Sequence, residues 1–232
     1  SPTVMQQITS VSPQVSAAVG TGGLQNPLTA VSPKVEVLKD ASGKPKIVYI
    51  GGDFCPFCAA ERWSVIVAMS RFGTFSNLHY MSSSGSDVFP NTPTFTFYKS
   101  TYTSQYITFE GVETQDRNHN PLQQPTSEQQ QLLAKYDAPP YVPQQSAGAI
   151  PFMDFANQYL TSGAGFSPDV LANKSQPDIA KALSDPNAET TKNIVGNANY
   201  LTAAVCQVIN NNAPACKVAP IPSIEQQLPK NG

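Results

Sequence analysis

The sequence predicts an α/β protein with a central mixed sheet flanked by helices, because strand-like and helix-like segments alternate along its 232 residues. The clearest unit begins with the β-branched run 46–50, which is followed by two glycines. The run 59–72 then contains good helix formers and neither Pro nor Gly. Between the two runs lies a Cys-x-x-Cys motif, Cys55-Pro56-Phe57-Cys58. The first unit of the fold is therefore a strand, a turn that carries two cysteines, and a helix.

The rest of the chain continues this alternation. The other predicted elements, in chain order, are a strand at 35–38, a second strand at 77–81, a hairpin of 94–98 with 106–109, a helix at 126–136, a hairpin of 152–155 with 159–160, and helices at 168–183 and 190–209. We expect residues 31–218 to form one domain with an inserted, partly β segment at about 82–145. Residues 1–30 are expected to form an N-terminal arm with a short helix, and residues 219–232 a C-terminal tail.

The position of Cys55 and Cys58 between a strand and a helix favours redox chemistry. The free N–H groups and the positive dipole end of a helix N-terminus stabilise a thiolate, and can lower a thiol pKa from about 8.5 to roughly 3.5–7.5. Pro56 suits the first helical turn because its missing N–H is not needed there. We expect Cys55 to be exposed and to act as the nucleophile, with Cys58 as the resolving thiol.

A structural zinc site is a competing interpretation of the same two cysteines. Closed zinc sites need four ligands, and the additional ligands come in pairs at short spacing. The remaining candidates are Cys206, Cys216, His79 and His119, and no two of them have that spacing. The sequence therefore predicts no metal site, and it indicates no cofactor.

Charged residues near the motif are candidates for a supporting role. Arg62 follows Cys58 by four residues and can share its helix face, where it could hold a thiolate or, as we expect, form an ion pair that supports a buried helix. Asp53 precedes Cys55 by two residues and could disfavour the thiolate, accept a proton, or be an ordinary turn residue. The supporting set is completed by Pro56, Phe57 and Glu61.

The composition favours an exported protein. Charged residues make up 13 per cent of the chain, about half the usual share, and uncharged polar residues are abundant. The net charge of −2 gives no basic footprint, so nucleic acid is not an expected partner. No apolar run reaches the length of a membrane span. We expect an extracytoplasmic protein, secreted or on the cell surface, with removal of a signal or anchor from this sequence as an open alternative.

A second cysteine pair supports the same expectation. Cys206 ends a helical pattern, and Cys216 follows the turn-forming residues 210–214. A disulfide between them would close a short loop and contribute about 3 kcal/mol in the chain-entropy model. Such structural disulfides persist in oxidising compartments, with intracellular proteins of hyperthermophiles as the exception.

The chain also resembles a known family. The segment 47–63 is similar to the first strand, active-site turn and first helix of a thioredoxin fold. More closely, the chain resembles an uncharacterised domain-of-unknown-function family of secreted thioredoxin-like proteins from thermoacidophilic archaea and some bacteria. The runs that carry this resemblance are 55–63, 70–75, 90–95 and 150–152. The resemblance covers roughly residues 30–218 and implies a thioredoxin-like fold, but no substrate.

The resemblance also implies a cis-proline loop that faces the two cysteines. The chain offers Ile150-Pro151 and Thr92-Pro93. We favour Ile150-Pro151, since two strand-like runs, a tight turn and then a helix follow it, as the second half of the fold requires. The alternative, Thr92-Pro93, is also followed by strand-like runs and a helix, and would confine the thioredoxin core to residues 30–136.

The motif and the resemblance together imply an exported thiol–disulfide oxidoreductase that acts on protein cysteines through Cys55 and Cys58. Its expected partners are cysteine-containing protein substrates or a redox partner protein. The direction of the reaction stays open, because potentials on this fold range from about −270 to −120 mV. The alternative is a secreted binding or structural module on a thioredoxin scaffold, with a non-catalytic disulfide.

Overall fold

The computed structural model describes residues 3–232. The α-helices of this part of the chain are α1 (Val4–Thr9), α2 (Pro13–Val19), α3 (Pro56–Met69), α4 (Ser127–Tyr136), α5 (Gln176–Ala182), α6 (Glu189–Val208) and α7 (Ile221–Glu225). The strands are β1 (Thr29–Ala30), β2 (Lys46–Gly51), β3 (Gly73–Ser76), β4 (His79–Ser82), β5 (Pro93–Thr96), β6 (Thr101–Ser104), β7 (Thr108–Glu113), β8 (Phe152–Phe155) and β9 (Tyr159–Ser162). Short 3-10 helices span Gln144–Ser146, Pro168–Leu171 and Pro214–Lys217.

The central sheet has five strands in the order β1-β9-β8-β2-β7. Its middle strand, β2, pairs in parallel with β7 and antiparallel with β8. Tyr49 of β2 therefore lies opposite Gly111 on one side and Met153 on the other. The prediction of an α/β protein with a mixed central sheet flanked by helices is confirmed.

Alternate residues of β2 serve the two faces of the sheet. Ile47 and Tyr49 pack in a large core that includes the buried residues of α3 and α6. Val48 and Ile50 point to the opposite face and pack in a smaller core with residues of α4. Because successive side chains of a strand alternate between faces, a strand that is covered on both sides must be apolar throughout. The continuous apolar run of β2 is explained by these two cores.

Every residue of α3 except Phe57 is buried, as expected for a helix with apolar residues on nearly all sides. It packs against α6 and against β5. The indole N–H of Trp63 donates to the carbonyl oxygen of Pro93 at 2.9 Å, and the hydroxyl of Ser64 donates to the carbonyl of Ile194 at 2.9 Å. These bonds satisfy polar groups that would otherwise be costly inside the core. The middle of α3 is thus bonded to β5 on one side and to α6 on the other.

The chain between α3 and α4 differs most from the prediction. The next strand of the central sheet after β2 is β7, whereas the predicted strand at 77–81 corresponds to β4, which pairs with β5 outside that sheet. The predicted hairpin of 94–98 with 106–109 is wrong, since β5 pairs with β4 and β6 pairs with β3. The segment at 82–145, predicted as an inserted and partly β segment, contains β7, which pairs with β2 in the central sheet. Parallel pairing joins residues far apart in sequence, and local patterns carry no signal for it.

Other elements follow the prediction more closely. The hairpin of β8 with β9 is present, and the helix predicted at 190–209 is α6. The segment predicted as one helix at 168–183 is instead a 3-10 helix followed by α5. Residues 35–38 form no strand. At the N-terminus there are two short helices instead of the one that was predicted. Ser12 is the N-cap residue of the second, α2, and Pro13 is its first residue.

Candidate functional site

Cys55 lies at the junction of β2 and α3, where it is the N-cap residue of the helix. Its backbone is extended, with φ −75° and ψ 122°, and Pro56 occupies the first helical position. The Sγ of Cys55 accepts a hydrogen bond from the backbone N–H of Cys58 at 3.2 Å. The sulfur thus takes the place of the oxygen that caps most helices, and receives an N–H that has no partner inside the helix.

Both thiols are buried, and neither forms a disulfide. Cys55 has 5 per cent of its surface exposed and Cys58 has none. The expectation that Cys55 is exposed is therefore wrong: the turn is covered, and the Sγ of Cys55 lies 4.0 Å from the carbonyl oxygen of Ile150. Phe57, between the two cysteines, is the residue of the motif that reaches the surface, with 37 per cent exposed.

The proline loop next to Cys55 is the one that precedes β8. The peptide bond between Ile150 and Pro151 is cis, whereas Thr92-Pro93 is not among the cis bonds of residues 3–232. Pro93 instead begins β5, and its carbonyl accepts from Trp63. Of the two loops, Ile150-Pro151 is therefore the one that has both the cis bond and a contact with Cys55.

The two thiols differ in their acidity. The hydrogen bond with the Cys58 side chain is the main cause that lowers the pKa of Cys55, and it outweighs desolvation. The backbone N–H of Cys58 and the charge of Arg62 act in the same direction. Burial raises the pKa of Cys58 well above its usual range, and its hydrogen bond with Cys55 adds to this. The site can thus place one negative charge on Cys55 while Cys58 keeps its proton.

Arg62 connects the helix, the sheet and the turn below the cysteines. Its Nε and Nη2 donate to the two carboxylate oxygens of Glu113, each at 2.8 Å. Nη2 also donates to the carbonyl of Gly52 at 2.7 Å and lies 3.6 Å from Oδ1 of Asp53. Of the roles considered for Arg62, the structure shows the ion pair. Asp53 is buried and belongs to this cluster, so it is not a surface turn residue.

The electrostatics of the cluster follow from its burial. Desolvation raises the pKa of Glu113 and of Asp53, and the charge of Arg62 opposes this in both. Burial alone would lower the pKa of Arg62, but Glu113, Tyr49 and Cys58 together outweigh it and raise the pKa well above its usual range. In the same cluster, the hydroxyl of Tyr49 and Nη1 of Arg62 are buried and have no hydrogen-bond partner. The cluster therefore keeps unsatisfied polar atoms close to the turn, which is typical of functional sites.

Sequence patterns do not single out Glu113 or Tyr49. Glu113 ends β7 and reaches the turn because it lies opposite Gly51 in the parallel pairing with β2. In the sequence, nothing distinguishes Tyr49 from other strand residues. In the structure, a Cβ atom at position 51 would overlap with the Tyr49 hydroxyl. The glycine is therefore needed for Tyr49 to fit. The only sequence signal for Glu113 is a charged residue at the end of an apolar strand.

Glu61 contacts a different part of the molecule. It is buried, and one of its carboxylate oxygens accepts from the backbone N–H of Gly165 and from Nδ2 of Asn197, each at 2.9 Å. No Lys, Arg or His nitrogen of residues 3–232 lies within ion-pair distance. Desolvation raises the pKa of Glu61 to about 7. Glu61 therefore joins α3 to α6 and does not pair with Arg62.

Aromatic side chains surround the turn. The ring of Phe57 meets the ring of Phe89 edge-on, with centroids 5.8 Å apart, and Phe54 lies 4.1 Å from the ring of His119. The loop that carries Phe89 is fastened to the turn by the N–H of Ser84, which donates to the carbonyl of Phe54 at 2.9 Å. Phe89 has a positive φ of 50°, which a bulky side chain rarely adopts. The surface beside Cys55 is thus apolar and held in place.

The second cysteine pair forms a disulfide, Cys206–Cys216, with an S–S distance of 2.02 Å. It joins the end of α6 to the last 3-10 helix, and both residues are buried in the large core. His79 lies in β4 at the surface. Within residues 3–232, no three His, Cys, Asp or Glu side chains are grouped as metal ligands would be. In the same part of the chain no helix has the length and apolar character that a membrane crossing requires.

Comparison with known proteins gives one match. Among curated proteins and among solved structures, none matches the chain significantly. A family model described as "Domain of unknown function (DUF929)" matches residues 34–207, a region that contains the turn, the Arg62 cluster and the central sheet except β1. Since the match covers more than half of the 232 residues, the chain belongs to the DUF929 family.

Proposed function

We propose that the protein is a thiol–disulfide oxidoreductase on a thioredoxin-like fold. The fold assignment is supported by the sequence of elements around the central sheet: β2, α3, the parallel strand β7, α4, the antiparallel hairpin β8–β9 and then α6. This is the order of a thioredoxin-like domain, with an insertion between α3 and β7. The insertion then comprises β3 to β6, which lie outside the central sheet.

The activity rests above all on the environment of Cys55. Its sulfur caps α3, receives the N–H of Cys58 at 3.2 Å, and has a lowered pKa beside a second thiol whose pKa is raised. A thiolate is the attacking species in disulfide exchange, so the acidic thiol is the nucleophile. A more basic thiol three residues away is suited to resolve the mixed disulfide.

The reaction has two steps in the reducing direction. The Cys55 thiolate attacks one sulfur of a substrate disulfide, the S–S bond breaks, and the leaving sulfur becomes a thiolate that takes up a proton. Cys58 then loses its proton and attacks the Sγ of Cys55, which releases the second substrate sulfur as a thiolate. Two electrons pass from the cysteine pair to the substrate, and the pair becomes a disulfide. The oxidising direction is the reverse.

Enzyme assays test this proposal. The wild type should reduce insulin or reactivate scrambled ribonuclease, and Cys55→Ser should have no activity above background. Cys58→Ser retains the nucleophile and should accumulate a mixed disulfide with its substrate, which mass spectrometry identifies. Wild-type activity equal to that of Cys55→Ser would refute the oxidoreductase proposal.

The burial of both thiols favours a second candidate, a binding or structural module in which Cys55–Cys58 is a permanent disulfide. The reduction potential of the pair separates the two candidates. A structural disulfide lies below about −300 mV and resists the glutathione pool, whereas a working pair lies between about −270 and −120 mV. Equilibration with glutathione or dithiothreitol buffers, read by alkylation and mass spectrometry, gives this potential.

We also propose an extracytoplasmic location. The Cys206–Cys216 disulfide supports it, since such bonds are rare in reducing compartments. The low share of charged residues agrees with it. Cell fractionation of the native organism with an antibody against the chain tests the location, and recovery with cytosolic markers alone would refute it.

A further inference from the structure

A cleft at the C-terminal end of α3, opposite the end that Cys55 caps, contains an arginine, Arg71, with no counter-charge. The cleft has a volume of about 100 Å³ and lies between the α1–α2 segment and the segment that leads into α7. Its walls include Val11, Pro13, Val218 and Pro220, and Arg71 is the one charged residue among its lining residues. Val218 is 43 per cent exposed and leaves an apolar surface open to solvent at this place.

Arg71 is held rigidly but is not neutralised. Its Nη1 donates to Oγ1 of Thr202 at 2.7 Å, and its Nη2 donates to Oγ of Ser16 at 2.5 Å. A guanidinium has five N–H groups, so three of them have no acceptor among residues 3–232. No carboxylate of these residues lies within 4.0 Å of Arg71.

Comparison with Arg62 shows what is missing at Arg71. Arg62 is paired with Glu113, and that carboxylate raises its pKa. Burial lowers the pKa of Arg71 to about 10, and no opposite charge acts against it. The two acceptors that Arg71 does have are hydroxyl groups, which orient the guanidinium but do not compensate its charge. Arg71 is partly buried, so its guanidinium has lost part of its hydration without gaining a counter-charge, and a bound anion would supply one.

The surroundings restrict the anion. The planar fork of a guanidinium matches the two oxygens of a carboxylate. The walls next to it are apolar, so the group attached to the carboxylate should be apolar as well. A cavity of about 150 Å³ binds benzene, so about 100 Å³ holds roughly four carbons, and because the cleft is open to solvent the end of a slightly longer chain can extend beyond it. We propose that the cleft binds a small aliphatic monocarboxylate, with its carboxylate on Arg71 and its chain against Val218 and Pro220. This proposal does not depend on the redox activity.

Ligand titration of the full chain tests the proposal, with sodium hexanoate as the probe. Hexanoate should bind saturably by calorimetry and raise the melting temperature, in titrations to about 50 mM, which detect millimolar dissociation constants. 1-Hexanol has the chain without the charge, and sulfate has charge without the chain. Neither should give saturable binding. Failure of hexanoate to saturate, or equal binding of sulfate, would overturn the proposal.

Two aspartate variants locate the binding. Val218→Asp places a negative charge on the wall and should weaken hexanoate binding by about tenfold or more, since like charges repel strongly near a partly buried site. Val88→Asp makes the same change at an exposed valine elsewhere, 60 per cent exposed, and should leave binding unchanged. Arg71→Gln should abolish binding. If Arg71→Gln does not fold, the two aspartate variants decide: equal binding by both would place the carboxylate elsewhere and refute the assignment.

Discussion

Arg62 and Glu113 form a bidentate ion pair in which neither side chain is exposed. The pair joins α3 to the end of β7, and the same guanidinium holds the carbonyl of Gly52 at the start of the cysteine turn. A buried pair of this kind adds little to stability compared with an apolar pair, but loss of one partner leaves an isolated charge in the core. The pair therefore fixes the geometry of the turn, and its disruption should strongly lower the free energy of unfolding.

Substitution of Glu113 should reveal this cost. Glu113→Gln keeps the shape of the side chain but removes its charge, which leaves Arg62 with Asp53 at 3.6 Å as its nearest carboxylate. We expect the free energy of unfolding to fall by about 3–5 kcal/mol, measured by urea denaturation. Glu128→Gln is the control, because Glu128 pairs with Lys46 at the surface and should cost about 0–1 kcal/mol. Equal costs for the two variants would contradict the prediction.

The low pKa of Cys55 should depend on the side chain at position 58. The hydrogen bond from that side chain is the main cause that lowers the pKa of Cys55. Cys58→Ser keeps a hydroxyl donor, whereas Cys58→Ala has none. The rate of alkylation by iodoacetamide as a function of pH reports the thiolate, and its midpoint should be higher in Cys58→Ala than in Cys58→Ser. Identical midpoints would show that the backbone N–H and the helix end suffice.

The sequence could predict those parts of the site that are local. The strand–turn–helix unit, the capping position of Cys55 and the buried character of α3 follow from contiguous residues and their preferences. The hairpin of β8 with β9 is likewise local, because Asn157 and its neighbours form a tight turn between two apolar runs.

The parts that could not be predicted depend on long-range contacts. Glu113 is 51 residues from Arg62, and only the parallel register of β2 with β7 brings it to the turn. The carbonyl oxygen of Ile150, which lies 4.0 Å from the Sγ of the buried Cys55, belongs to a loop 95 residues away in the chain. Local periodicity specifies which face of an element is apolar, but not which element covers it. The predicted exposure of Cys55 failed for this reason.

Glu61 should make stability depend on pH. Its pKa is raised from 4.5 to about 7 because it is buried without a cation. A carboxyl whose pKa is raised in the folded state binds its proton more tightly there than in the unfolded state. Its contribution to stability is therefore complete below the pKa of the unfolded state, and is lost as the pH rises through about 7. A fall in pH from 8 to 5 should therefore increase the free energy of unfolding through this one group by about 2–3 kcal/mol.

The difference between two variants isolates this group from other buried acids. Glu61→Gln has no titrating group and can still accept from Gly165 and Asn197, so its stability should change less between pH 8 and pH 5 than that of the wild type. Glu36→Gln, at an exposed position, should keep the wild-type profile. Urea titrations at several pH values provide the measurement. Parallel profiles for the wild type and Glu61→Gln would show that Glu61 does not carry the dependence.

Phe57 should affect protein substrates more than small ones. It is the exposed residue of the cysteine turn, and its ring is held beside Phe89. If the proposed activity holds, a protein substrate must contact this apolar surface to bring its disulfide to Cys55, whereas dithiothreitol or glutathione need not. Phe57→Ala should lower kcat/KM for insulin by about tenfold, which corresponds to about 1.4 kcal/mol, and should leave exchange with glutathione within about twofold. Tyr80→Ala removes another exposed aromatic side chain, on β4, and should change neither rate. An equal loss with both substrates in Phe57→Ala would instead mean that Phe57 shapes the turn itself.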